Sequence, residues 1–213
     1  MIEHILDLLY PRTCGFCDII NKNYLCAKCY NRLKHIDNTK VYKCKSNYIN
    51  YHGYIFKYAD LIRDKIIDYK FNEKAYLHKT FCYLILKNEN ICRYIKSYDI
   101  IIPVPIHKDR KKQRGYDQTK LLAKEVAKNL KIEIRNDILK KNINIAPQST
   151  LNAIQRMENI KGAYNINKTE ELTGKRILLM DDIYTTGSTL EECAKTISII
   201  NAKEISAFTL AKD

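Results

Sequence analysis

The run Ile177-Leu178-Leu179-Met180-Asp181-Asp182-Ile183-Tyr184-Thr185-Thr186-Gly187-Ser188-Thr189 decides the fold. An apolar stretch ends in two adjacent carboxylates, and a turn of small hydroxylated residues around Gly187 follows. Leu190, Cys193, Ala194, Ile197 and Ile200 then recur at spacings of three and four, the period of a helix with one apolar face. The order is buried strand, acidic pair, small-residue loop, helix start. Open α/β sheets place their ligands beyond the carboxyl ends of the strands. A helix start offers backbone N–H groups to an anion. Small residues let the backbone approach a phosphate closely, and Thr and Ser hydroxyls add donors. Carboxylates beside such a nest suit a sugar phosphate, with acceptors for its hydroxyls and donors for its phosphate. An ordinary strand–turn–helix also favours acidic residues near the helix start, for dipole reasons alone. The full string is much rarer than that, which favours the sugar-phosphate reading.

A second strand precedes it. Tyr98-Asp99-Ile100-Ile101-Ile102-Pro103-Val104-Pro105-Ile106-His107 reads as a buried strand entering a stiff turn. Pro103 and Pro105 fix φ and remove backbone donors, so the strand leaves its ladder there. Lys108, Arg110, Lys111, Lys112 and Arg114 then put five cations into seven positions, closed by Gly115. This predicts a dense anion-binding loop in which arginine can grip phosphate oxygens as a fork. The plainer version is a solvated basic loop. Leu121, Leu122, Val126 and Leu130 mark an amphipathic helix after it. If both strands are parallel, both turns emerge from one edge of the sheet.

At 213 residues the chain has room for one α/β domain and a small appendage. No apolar run of about 18 residues occurs, so no transmembrane helix is expected. The stretch Met1 to Asp7 lacks the basic start of a signal peptide. These features predict a cytoplasmic protein without membrane insertion. The net charge of +13 suits polyanion partners through counterion release. Richness in Lys, Asn, Ile and Tyr equally fits AT-rich coding, and net charge speaks to non-specific binding and not to a defined site.

The eight cysteines are unevenly spread. Cys14-x2-Cys17 and Cys26-x2-Cys29 form two knuckles with eight residues between them. Two such turns complete a closed, tetrahedral Cys₄ zinc site of the structural kind. The stretch has too little apolar mass to fold alone, so metal binding would supply its folding free energy. Disulfides fit a cytosolic chain poorly, and a thioredoxin-like pair would need a flanking βαβ pattern. Cys44 stands apart. Cys82, Cys92 and Cys193 read as buried small hydrophobes. His4, His35, His52 and His78 read as surface or packing residues, and His107 stands out because it follows the proline turn directly.

The coarse pattern predicts a short helix over 1–13 and the cysteine module to about 40. Aromatic-rich, strand-like structure follows over 41–57, with Gly53 as a turn. Helices are expected over 58–71 and 75–96. Strands are expected at 99–104, near 132–138, at 176–181 and at 204–210, with the parallel sheet beginning near Asp99. The polar stretch 140–163 has no clean period and reads as a lid.

The 177–189 segment resembles the phosphoribosyl-diphosphate-binding signature of type I phosphoribosyltransferases. The order Asp99-Ile100-x-x-Pro103-Val104-Pro105, then His107-x-x-Arg110-x-x-x-Arg114-Gly115-aromatic-x-Gln118, is similar to the ComF family of ComFC-like competence proteins. Gln148-Ser149-Thr150-Leu151, Arg156, Asn159, Gly162-Ala163-Tyr164 and the close at Ala202 to Ala211 keep the family's order, as do the knuckles. The resemblance runs from about Leu8 to Lys212. It departs at Tyr116-Asp117, where the family has Phe-Asn, and at Ile145, where the family has Thr. A carboxylate at 117 would repel a pyrophosphate unless it binds Mg²⁺ or points away.

The resemblance implies a type I phosphoribosyltransferase-like parallel sheet flanked by helices, over 41–213. It also implies an N-terminal helix and zinc module over 1–40. Asp181 and Asp182 would contact the ribose 2′- and 3′-hydroxyls, and Thr185, Thr186, Gly187, Ser188 and Thr189 the 5′-phosphate. Arg110, Lys111 and Arg114 would serve the pyrophosphate with Mg²⁺, and Arg156 would reach it from the lid. Cys14, Cys17, Cys26 and Cys29 would hold one structural Zn²⁺. A nucleobase pocket is not evident, and residues 41 to 75 are the one candidate hood. The implied function is an accessory in single-stranded DNA uptake and handling during natural transformation, touching the strand or DNA-import proteins. The alternative is a working phosphoribosyltransferase of nucleotide salvage or synthesis. A third option makes the zinc module a docking knob.

Overall fold

The structure, a computed structural model, describes residues 11–143, 160–167 and 172–213. Helix α1 (Ala27–His35) leaves the second cysteine knuckle, and β1 (Asp37–Lys43) and β2 (Tyr51–Lys57) form an antiparallel pair after it. Three helices follow: α2 (Asp60–Phe71), α3 (Leu77–Leu86) and α4 (Glu89–Lys96). Next come β3 (Ile100–Pro103), α5 (Lys108–Arg114), α6 (Gln118–Leu130) and β4 (Glu133–Ile134). Strands β5 (Leu139–Lys141) and β6 (Tyr164–Ile166) pair with each other outside the main sheet. The strand β7 (Arg176–Tyr184), helix α7 (Ser188–Ser198) and strand β8 (Glu204–Lys212) complete the described chain.

The main sheet has the order β1-β2-β8-β7-β3-β4, and every neighbouring pair from β2 to β4 is parallel. Strand β7 reads as a continuous apolar run because helices cover both faces of the sheet. Leu178 and Met180 join one core with Ile62, Ile66, Tyr69, Phe81, Leu122 and Val126. Ile177 and Leu179 join the opposite core with Leu190, Cys193, Ala194 and Ile197. The period-two alternation of a strand makes this division. The cysteine segment is no separate bead: Cys14, Phe16, Leu25 and Leu33 share the first core.

Several sequence expectations change. The parallel sheet starts at β2, since His52 pairs with Ala207 in parallel register. Gly53 lies inside β2 and makes no turn; a Cβ there would come within 2.7 Å of the Tyr94 ring, so close packing demands the glycine. The helix expected over 75–96 is two helices. The Asn88 side chain accepts from the Ile91 N–H at 3.1 Å and starts α4 afresh. The basic stretch expected as a loop is helix α5, ended by Gly115 at φ +78°. The strand expected near 132–138 shrinks to the two residues of β4. Of the helix expected over 1–13, residues 1–10 lie outside the described residues, as do 144–159 of the expected lid.

Candidate functional site

Strands β3 and β7 are neighbours, with Pro103 opposite Met180. Their carboxyl ends therefore open side by side, and the two turns anticipated from sequence emerge from one edge. Beyond Met180 the strand carries Asp181 and Asp182, and the chain then turns through Thr185 to Gly187 into α7.

Asp182 is 4% exposed. Lys70 of α2 places its Nζ 2.8 Å from Asp182 Oδ1. Gln118, the first residue of α6, donates from Nε2 to Oδ2 at 3.1 Å. Gln118 Oε1 is itself buried with no hydrogen-bond partner among the described residues. Asp181 Oδ1 accepts the backbone N–H of Asp182 at 2.8 Å and stands 3.4 Å from Thr119 Oγ1. Burial pushes the Asp181 carboxyl up to about 7, the charge of Asp182 adds to the rise, and Lys70 and Lys141 oppose it. The two carboxylates are thus unequal, one held by an ammonium and the other biased toward its neutral form.

The turn after β7 is preorganised by its own hydroxyls. Thr186 Oγ1 lies 2.9 Å from Ser188 Oγ and accepts the Ser188 N–H at 3.4 Å. Gly187 has φ +78° at the start of α7, and no side chain caps that helix from position 187. A Cβ at 187 would collide with the Tyr184 ring. Thr185 and Thr189 are half-buried and Thr186 is exposed. The backbone donors of this turn and the hydroxyls beside them make an anion-sized cradle.

Helix α5 faces the same edge. Arg114 is half-buried, with its guanidinium 4.7 Å from the Phe71 ring centroid. Burial depresses its guanidinium, which Asp182 attracts and Arg110 repels. Arg110 is half-buried and Lys111 is exposed. Lys141 of β5 lies in the same field: burial and Arg110 lower its ammonium, and Asp181 offsets them. The structure therefore brings Asp181, Asp182, Arg110, Arg114 and the 185–189 turn together, and leaves Lys111 at the solvent side. Arg156 lies outside the described residues.

Of the residues at which the chain departs from the ComF pattern, Tyr116 and Asp117 have structural uses, and Ile145 lies outside the described residues. Asp117 points into its own helix, where Oδ1 accepts the Lys120 N–H at 3.0 Å as the cap of α6. The Tyr116 hydroxyl donates to the Tyr69 carbonyl, and the two rings lie 6.0 Å apart. His107 is also occupied locally, its Nδ1 accepting the Asp109 N–H at 3.3 Å.

Sequence reasoning missed Lys70 and Lys141 altogether, and named Gln118 without a task. Gln118 had a signal in the spacing of its motif. Lys70 had none, being one of two lysines on a helix read only for its apolar residues.

At the other end of the chain, the sulfurs of Cys14, Cys17, Cys26 and Cys29 all lie within 4.8 Å of one another. Cys17 and Cys26 sulfurs are 3.7 Å apart. Thiolates about 2.3 Å from a central zinc have tetrahedral edges of about 3.8 Å, so the spacing fits one ion. Burial opposes the Cys14 thiolate, but backbone N–H groups of Cys26, Phe16 and Cys17 outweigh it and leave the thiol lowered to about 7. Cys26 also caps α1 by accepting the Cys29 N–H at 3.5 Å. The four cysteines can hold a structural metal ion. Cys82 and Cys193 are buried as expected, while Cys92 is half-buried.

No helix among the described residues is long and apolar enough to cross a membrane. Residues 120–213 match the phosphoribosyl transferase domain family. Competence protein F of Haemophilus influenzae is 32% identical over 148 residues, covering 68% of this chain and 65% of that protein. Competence protein ComFC of Streptococcus pneumoniae is 28% identical over 208 residues, covering 93% of this chain and 87% of that protein. DNA utilization protein YhgH of Escherichia coli O157:H7 is 28% identical over 114 residues, covering 54% and 49%. The matched length is thus just under two thirds of the Haemophilus protein and about half of YhgH. The chain is a homologue of the ComF and ComFC competence proteins, built on a phosphoribosyl transferase domain.

Proposed function

We propose that this protein binds phosphoribosyl diphosphate with Mg²⁺ at the joint edge of β3 and β7 and acts as an accessory in DNA uptake. The observation that carries the ligand is the convergence of an acidic pair, a hydroxyl-rich turn at a helix start and two half-buried arginines at one sheet edge. In this reading Asp181 and Asp182 accept from the ribose hydroxyls and the 185–189 turn receives the 5′-phosphate. Arg110, Arg114 and Lys111 meet the pyrophosphate, with Arg156 joining them. Mg²⁺ travels with the ligand and spreads its charge. Zn²⁺ occupies the four cysteines, and residues 1–40 and 41–213 divide the chain between the two tasks.

The DNA-uptake part is supported by the names of the homologues and by the net charge of +13. Single-stranded DNA is the direct partner, and DNA-import proteins are the further ones. A second reading has an observation of its own. A carboxyl near neutrality, as at Asp181, can exchange a proton during displacement at C1, while fixed cations stabilise the departing pyrophosphate. That reading predicts pyrophosphate release with some nucleobase acceptor.

Thermal unfolding with the ligand and Mg²⁺ tests the site. Ligand at 100 times its Kd adds about 2.7 kcal/mol, a rise in Tm of several degrees. Asp182→Asn abolishes the rise. A wild-type Tm that does not move at millimolar ligand overturns the proposal. Binding of single-stranded DNA falls steeply as salt increases; salt-insensitive or absent binding removes the DNA part.

A further inference from the structure

The last turn of α2 carries Tyr69, Lys70 and Phe71, and each meets a different part of the site. The Tyr69 hydroxyl donates to the Gln118 carbonyl at the start of α6, and its own carbonyl accepts from Tyr116. Lys70 pairs with Asp182 at 2.8 Å. Phe71, 64% exposed, lies against the Arg114 guanidinium. Successive helical residues point about 100° apart. Three in a row can touch three elements only because the end of α2 is wedged into the corner between α5, α6 and β7.

We propose that Lys70 is a positioning residue, which pairs with Asp182 and holds it oriented for a pentose, with Tyr69 and Phe71 fixing the helix end that presents it. This rests on the sugar-phosphate reading of the site. The reason is electrostatic. Two adjacent carboxylates at a buried strand end repel each other, and desolvation penalises both charges. A counter-charge in contact removes that penalty for one of them. Lys70 takes one position on Oδ1 and Gln118 one on Oδ2. Each carboxylate oxygen has a second lone pair with which it can accept a ligand hydroxyl. The brace therefore sets the acceptor without using it up.

The other groups facing the pair are Arg114 and Tyr69 toward Asp182, and Lys141, Tyr164 and Cys193 toward Asp181. Arg114 acts at longer range, attracted by Asp182 and repelled by Arg110. Among the cations of the described residues, Lys70 is the one in hydrogen-bond contact with the buried carboxylate.

The test uses the full chain with Lys70→Met and Lys70→Arg, and Lys70→Gln should the methionine variant not fold. The first measurement needs no ligand. Carbon-13 carboxylate titration of aspartate-labelled protein should show the first ionisation of the pair shifted upward in Lys70→Met by about tenfold or more in proton affinity, and restored in Lys70→Arg. An unmoved titration overturns the proposal whatever the protein binds. The second measurement is the Kd for phosphoribosyl diphosphate with Mg²⁺ across pH, with inorganic pyrophosphate as a probe that has no hydroxyls. Lys70→Met should weaken the sugar ligand by about tenfold near pH 6.5 and much less near pH 9, where the pair ionises unaided. Pyrophosphate affinity should hold within about twofold. An equal loss at every pH, or for both probes, would mean a merely structural lysine. Wild-type protein that binds pyrophosphate but not the sugar ligand refutes the pentose reading, and the titration then decides the role of Lys70 alone.

Discussion

The cysteine cluster and the acidic pair are built by opposite means. The four sulfurs come from one short segment, Cys14 to Cys29, and converge through two local turns. The acidic pair is local in sequence too, but what gives it chemistry arrives from α2, α5, α6 and β5. The ligand set of the cluster follows from spacing. The charge state of the carboxylates follows from the whole fold. A metal site can therefore be read from a motif, while a site that depends on unequal acids cannot.

The sharpest way to break this contrast is Cys26→Ser. It removes one sulfur and weakens the cap of α1. Metal content by mass should fall from one ion per chain to well below one. Tm should drop by roughly 10 °C or more, since the segment shares a core with Leu77 and Phe81. A variant that loses its metal and keeps its Tm would make the cluster an appendage with no bearing on the rest.

Gly187→Ala should have the next largest effect. The left-handed conformation costs about 1–2 kcal/mol for any side chain, and the new Cβ drives into Tyr184, whose ring stacks 4.4 Å from His52. Tm should fall by a few degrees, and phosphate-ligand affinity by about tenfold or more. Unchanged affinity with lowered Tm would separate the turn from the ligand.

The smallest effect sharpens the acid side. Asp181 is raised from 3.8 to about 7, so the native protein holds a proton that the unfolded chain has released. Stability contributed by that proton is lost as pH rises from about 4 to about 7. His52 is lowered from 6.5 to about 3 by burial and by Lys212. The unfolded chain gains a proton there first, so stability is lost as pH falls from about 6.5 to about 3. The two slopes oppose each other between them. Asp181→Asn should remove the first slope only, raising Tm relative to wild type at pH 8 and matching it near pH 4.5. A shift of the same size at both values would place the proton elsewhere.

Much of this architecture was legible because it repeats at short range. The apolar run before Asp181, the period-three-and-four pattern from Leu190 and the knuckle spacing each name an element within a few residues. The misses are long-range. Nothing in Tyr51–Lys57 says that the strand will lie parallel to β8, so the sheet was begun too late. Gly53 looks like a turn until the Tyr94 ring against it is known. The basic stretch looked like a loop because its charges hid a helix that Gly115 ends. At the site, the carboxylates and the 185–189 turn were legible, and Lys70 was not, because its partner lies more than a hundred positions away in the chain. Asp117 was read as a threat to an anion because capping of α6 depends on a backbone direction that composition does not carry.

Strand β8 sits between β2 and β7, and Tyr51 reaches Ser206 across 155 positions of sequence. Closing so long a loop precedes any reward from the contacts it makes, which places such a topology among slow folders. Until β8 docks, β2 has an open edge along the side it will later share, and an open edge invites strands from other copies. Refolding yield should therefore fall as protein concentration rises, through the wait for one late partner and not through any weakness of the finished sheet.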